Sequence, residues 1–290
     1  MHNTSSPAHE TSPNEETKPD AAQLLAEKYI KSAEKETRIW IIIIILLLAA
    51  LSCGGYFYYK HRSNPLYSAV FHEDAEKVRL LLDSGADVNK VDKSGNSPLI
   101  VAILKGNVEC GRLLLAVPEI DINLANKNGE TPLYWAVYMG NTSFVRLLLA
   151  EPGINVNQSD KDGETPLYWA AYKGNENNVR LLLAMPGIIV NTANKNGETP
   201  LYWAAQRGHT ECVRLLLAVP GINVNRANMD GETPLYWAAQ RGHTECVRLL
   251  LAVPGIYVNS VNKDGITPLQ AAEQCEHTEC AELIRAAGGI

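Results

Sequence analysis

Three short spacings in the chain carry residue types able to do chemistry. His209-x-x-Cys212 recurs as His243-x-x-Cys246 and His277-x-x-Cys280, with Cys275 close to the last. An imidazole and a thiolate three positions apart can face one side of a helix and share a zinc ion. The competing reading is apolar, because each cysteine stands at an inward position of a leucine-rich segment, where a thiol behaves as a small hydrophobe. That second reading is the stronger. No His-Glu-x-x-His pair, nucleophile elbow or phosphate-cradling glycine loop occurs. The sequence therefore predicts no catalytic residues, no metal and no cofactor.

A second set of residues suits recognition rather than reaction. Trp135, Trp169, Trp203 and Trp237 recur at a fixed step, and tryptophan is enriched among the residues that dominate protein interfaces. Each also has the bulk to pack between neighbouring units as core, and the two roles can coexist in one ring.

These residues are placed by a repeat. Thr-Pro-Leu-Tyr-Trp-Ala begins at Thr131, Thr165, Thr199 and Thr233, a constant step of 34 residues, with diverged copies at Ser97 and Thr267. A period of this size marks a unit that cannot bury its apolar face alone and must stack on its neighbours. In the unit from Asn194, Gly197 supplies a turn and Thr199 caps a helix with Pro200 as its first residue. Leu201, Ala204 and Ala205 share one helical face, while Trp203 and Arg207 fall on another. Gly208 ends that helix, and a second opens near Thr210, read as another cap, carrying Cys212, Val213, Leu216 and Leu217 inward until Pro220. Repeats lie about 10 Å apart, so Cys212 and Cys246 are too distant for a disulfide.

Turn, Thr-Pro-Leu helix, Gly-His, leucine-rich helix and Val-Asn loop in this order resemble the ankyrin repeat. Gly197, Thr199, Pro200, Leu201, Ala204, Ala205, Gly208, His209, Val213, Leu216, Leu217, Val224 and Asn225 carry the resemblance. Two departures are systematic. Tyrosine at Tyr134, Tyr168, Tyr202 and Tyr236 replaces the family's histidine, which leaves open the hydrogen bond that histidine makes. The loop Val-Pro-Gly-Ile-Asn-Val-Asn is one residue longer than the Ser84 to Asn89 form. The resemblance implies an all-α, ankyrin-like solenoid of about seven helix-turn-helix repeats with β-turn hairpin tips. It spans 62–290, with units of about 62–91, 92–125, 126–159, 160–193, 194–227, 228–261 and 262–290.

The resemblance also implies that the first helices and turn tips line a concave partner-binding face. The candidate protein-binding residues are Lys161, Glu164, Lys195, Glu198 and Glu232 at the tips and Tyr138, Tyr172, Lys173, Arg207 and Arg241 on the helices. The tryptophans Trp135, Trp169, Trp203 and Trp237 complete the set. Two units are identical from Glu198 to Ile222 and from Glu232 to Ile256, so the same chemistry is presented twice.

Ahead of the array stand three segments. Residues 1–19 are rich in Ser, Thr, Pro and Glu and lack the apolar content to offset ordering, which predicts a disordered tail. Residues 20–38 read as a juxtamembrane helix. The run from Ile39 to Tyr59 has no charge, is long enough for a hydrocarbon core of about 30 Å, and ends in Trp40 and in Tyr56 to Tyr59, which predicts one transmembrane helix. A cleaved signal peptide fits less well, as about 38 residues precede the run. Lipidation of Cys53 is a weaker reading than a small residue inside the anchor. Lys28, Lys31, Lys35 and Arg38 against Lys60 and Arg62 place the N-terminus in the cytoplasm and the repeats outside or in the periplasm. Five unpaired thiols in the array weigh the other way.

The chain has 290 residues, 46% hydrophobic and 20% charged, with a net charge of -6. That balance supports a packed core and disfavours nucleic-acid binding. The resulting expectation is a non-enzymatic, membrane-tethered scaffold for a protein partner, with no nucleic acid and no small-molecule substrate. The rivals are a passive spacer and a surface-displayed, host-directed bacterial effector.

Overall fold

The computed structural model describes residues 64–290. Fourteen helices follow one another: α1 (Pro65–Phe71), α2 (Ala75–Asp83), α3 (Pro98–Lys105), α4 (Val108–Leu115), α5 (Pro132–Tyr138), α6 (Thr142–Leu149), α7 (Pro166–Lys173), α8 (Glu176–Leu183), α9 (Pro200–Gln206), α10 (Thr210–Leu217), α11 (Pro234–Gln240), α12 (Thr244–Leu251), α13 (Pro268–Gln274) and α14 (Thr278–Ala286). No strand occurs among the described residues. Among them, no helix is long and apolar enough to cross a membrane. The predicted tail, juxtamembrane helix and Ile39 to Tyr59 run lie outside the described residues.

Helices of seven to nine residues are too short to persist alone, since isolated helices below about 12–15 residues are marginal in water. Stacking makes them stable. Each odd-numbered helix packs on the odd helices before and after it and each even one on the even, so two helical layers run side by side. Leu201, Ala204 and Ala205 of α9 are buried, with Cys212, Val213 and Leu216 of α10 completing the unit's core. The paired alanines keep the first helices close.

Local chemistry starts and stops these helices as the motif requires. Thr199 Oγ1 accepts from the Tyr202 amide at 3.2 Å, and Pro200 occupies the first helical position. Gly197 adopts φ 83°, and a Cβ there would lie 3.1 Å from Asn228 Cα, so the turn needs glycine for both conformation and clearance. The turns also join to one another: Lys195 N donates to Asp162 O, and Met229 N to Asn196 O, each at 2.8 Å.

One expectation needs correction. Thr210 is not a cap; it is the first helical residue of α10, and the preceding His209 makes no side-chain capping bond. Earlier units cap this helix with Asn107, Asn141 and Asn175, whose Oδ1 atoms each accept a backbone amide. Histidine forgoes that bond for a contact to the preceding unit. At the C-terminal end, Gln270 replaces the recurrent tyrosine and closes a capping box with Thr267.

Candidate interaction surface

The first helices α5, α7, α9 and α11 each point one face away from the stack, at the tryptophan and at the helix end. The tryptophans are half-buried, and rings from adjacent units touch edge to face. Tyr138 meets Trp169 with centroids 4.7 Å apart, and Tyr172 meets Trp203 at the same distance. Both roles foreseen for the tryptophans are thus physically available: each ring packs between units and still shows an edge. Trp237 Nε1 donates to Glu232 Oε2 at 3.0 Å, whereas the buried indole N–H groups of Trp135, Trp169 and Trp203 meet no acceptor.

The helix-end cations lie on these rings. Lys173 Nζ stands 4.4 Å above the Tyr138 ring, and the Arg207 guanidinium 3.7 Å above Tyr172, to whose hydroxyl it also donates. In the next unit Gln206 takes the place of that tyrosine, and Arg241 lies instead 5.3 Å above its own Trp237. A shallow groove of about 560 Å³ opens to solvent between Tyr138, Lys173 and Glu176.

At the turn tips, Glu130, Glu198 and Glu232 each accept from an asparagine carboxamide, as in Asn194 Nδ2 to Glu198 Oε2 at 2.7 Å. Glu164 has Asp160 in place of that asparagine, and burial first, then that like charge, pushes its carboxyl above the usual range against the opposing hydrogen bonds to Tyr168 and Asn194. Lys161 is exposed, and Lys195 pairs with Asp162 at 3.3 Å in open solvent, a contact of little energetic weight. The candidate set therefore divides. Tyr138, Trp169, Lys173, Tyr172, Trp203 and Arg207 come together in one continuous row, Arg241 and Trp237 extend it, and the tip residues form a rim beside it that touches the row where Glu232 meets Trp237.

The histidine and cysteine pairs belong to the stack. His209 Nε2 lies 3.2 Å from Tyr172 O, and His243 Nε2 lies 3.0 Å from Gln206 O, each reaching one unit back. Burial holds both imidazoles below the ordinary histidine range. Cys212, Cys246 and Cys280 are buried; burial pushes the Cys212 thiol up to about 12 and raises the other two. Thr210 Oγ1 sits 3.7 Å from Cys246 Sγ of the next unit. No group of three or more His, Cys, Asp or Glu side chains suited to a metal gathers among the described residues. The cysteines of the array are unpaired.

Comparison with known proteins fits this geometry. A family model described as "Ankyrin repeats (3 copies)" matches residues 44–126, 66–160, 153–228 and 221–289, well over half of the chain. The chain belongs to the ankyrin repeat family. Among solved structures, the ankyrin repeat domain of Bcl-3, described as a unique member of the IkappaB protein family, is similar with a TM-score of 0.65 and 26% sequence identity. The match covers 77% of this chain and 98% of that one. No curated protein matches the chain.

Within the ankyrin array, tyrosine answers the question its substitution raised. Tyr202 is only 2% exposed, and its hydroxyl accepts from Asn228 Nδ2 of the next turn at 3.1 Å. Tyr236 does the same with Asn262 at 3.3 Å. The tyrosine side chain thus makes a hydrogen bond to the following repeat.

Two ladders went unread in the sequence. The Val-Asn asparagine of each ankyrin repeat clamps the next loop: Asn225 Nδ2 donates to Gly255 O and its Oδ1 accepts from Tyr257 N, both at 2.8 Å. Its signal was present, since Asn89, Asn123, Asn157, Asn191, Asn225 and Asn259 keep the 34-residue step. On the second helices, Arg180 pairs with Glu211, Arg214 with Glu245 at 3.7 Å and Arg248 with Glu279 at 3.4 Å.

Proposed function

We propose that this ankyrin repeat protein is a non-enzymatic scaffold that binds a partner protein along the first-helix face and holds it at a membrane. Family membership supports an interaction role in general. The observation that carries the finer reading is the aromatic row of Tyr138, Trp169, Tyr172 and Trp203, half-buried, closely packed and still edged to solvent, which the buried Tyr202 joins to Trp237. Rings already ordered by their neighbours lose little freedom when a partner covers them. Tethering through residues 39–59 raises the local concentration of whatever is bound, so a weak interface suffices. The charge balance around that run supports a cytoplasmic N-terminus with the repeats on the opposite side.

The test is capture of partners by the full-length chain, with and without Trp169→Ala and Trp203→Ala, each variant checked for an unchanged melting transition. A saturable partner lost in the variants supports the scaffold. A chain that captures nothing saturably is a passive spacer. Protease protection in sealed membranes decides the side: cleavage of the repeats from the cytoplasmic face overturns the orientation.

A further inference from the structure

The chain carries two rows of exposed cations that its own structure treats differently. On the second helices, Arg180, Arg214 and Arg248 are each matched by a glutamate of the following repeat. At the C-terminal ends of the first helices, Lys173 and the cap residues Arg207 and Arg241 enter no ion pair among the described residues and rest instead on aromatic rings. An aromatic face attracts a cation without neutralising it, so these three charges stay available to an incoming anion. The rings also restrict the side chains, which lowers the ordering cost of pairing, most of all for the planar guanidinium groups.

We propose that this row takes an extended acidic segment of a partner protein, one carboxylate to each repeat. The proposal rests on the scaffold reading and gives its partner a chemistry. Stacked helices set the cations about 10 Å apart along the array. A polyproline II segment rises about 3.1 Å per residue with three residues per turn, so every third side chain falls on one face about 9.3 Å from the last. A β-strand places every third residue on alternate faces and fits poorly. The matching pattern is an acid at positions i, i+3 and i+6, with proline favoured between them. Nucleic acid is the weaker occupant. The chain's net charge of -6 opposes a long polyanion, and the exposed Asp162, Glu176 and Asp230 lie in the same repeats as the row.

Binding is read by fluorescence anisotropy with the full-length chain in detergent micelles. The probes are a labelled peptide of three Glu-Pro-Ser units, an isomer with its three glutamates consecutive, and an oligothymidylate. Expected is saturable, salt-sensitive binding of the spaced peptide, weakened roughly tenfold in Lys173→Gln/Arg207→Gln/Arg241→Gln. The same probe should bind Arg180→Gln/Arg214→Gln/Arg248→Gln as it binds the parent, and circular dichroism establishes that both triple variants are folded. Absence of binding, equal binding of the two peptides, equal loss in both variants, or tighter binding of the oligothymidylate overturns the proposal. A protein partner that depends on Trp169 and Trp203 but ignores the three cations leaves the scaffold standing and removes this inference alone.

Discussion

Phe144 fills the space that a side chain at Gly111 would need: a Cβ built on Gly111 lies 2.3 Å from Phe144 Cε1. Both residues are buried where successive second helices meet. From Val179 onward the same junction is made by valine and cysteine, as in Val179 and Cys212. A large ring in one repeat is thus matched by an empty position in the repeat before it.

Gly111→Val should overpack this junction and destabilise the array by about 1–3 kcal/mol, while Phe144→Cys opens a void at a cost of about 3 kcal/mol or more. The double variant reproduces the Val179 and Cys212 pairing and should recover much of both losses. Urea denaturation of the four proteins gives the coupling; strictly additive effects rule out the size-matched pair.

Asn225→Ala removes two interrepeat hydrogen bonds at once. The expected loss is about 1–2 kcal/mol, with faster hydrogen exchange at the Tyr257 amide. Unchanged exchange at that amide would show that the clamp does not hold the loop.

His209 and His243 make stability depend on pH in a defined direction. Burial lowers both from the ordinary value of 6.5, outweighing the hydrogen bonds to Tyr172 and Gln206. The unfolded chain therefore binds protons that the folded chain resists. Their contribution is intact above about pH 6.5 and is lost as pH falls toward the lowered folded value. Replacing both with asparagine, the capping residue of earlier repeats, should flatten this profile; an equally steep acid loss in the variant assigns it to other groups.

Gly208 combines φ 71° with a neighbouring imidazole, since a Cβ there would lie 2.5 Å from His243 Nδ1. Gly208→Ala should cost more than the roughly 1 kcal/mol of left-handed strain alone. Adding His243→Ala should relieve only the steric part. Full recovery in the double variant would contradict the backbone argument.

The repeat and its helices were legible because their signals are local. Thr199 and Pro200 start α9 through atoms within three residues, and Gly208 lies just past its last turn. Thr210 misled for the same reason: a hydroxyl before an acidic turn reads as a cap, yet the chain enters α10 one residue earlier, through His209. The face holding Trp203 and Arg207 was also foreseen, from helical spacing. The ring beneath Arg207 was not, because Tyr172 lies 35 residues away.

The sequence by itself determined the 34-residue unit, its two helices, the inward leucines and alanines and the absence of familiar catalytic motifs, all of which follow from short-range pattern. The tertiary structure decided which neighbour each side chain meets. His209 takes a carbonyl 37 residues back, Tyr202 an asparagine 26 residues ahead, and Lys173 a ring of the preceding repeat. In a near-periodic chain every repeat offers the same residue types, so spacing alone cannot distinguish a cap from a clamp or a paired cation from a free one. Only the stacking of one repeat on the next sets the distances that do.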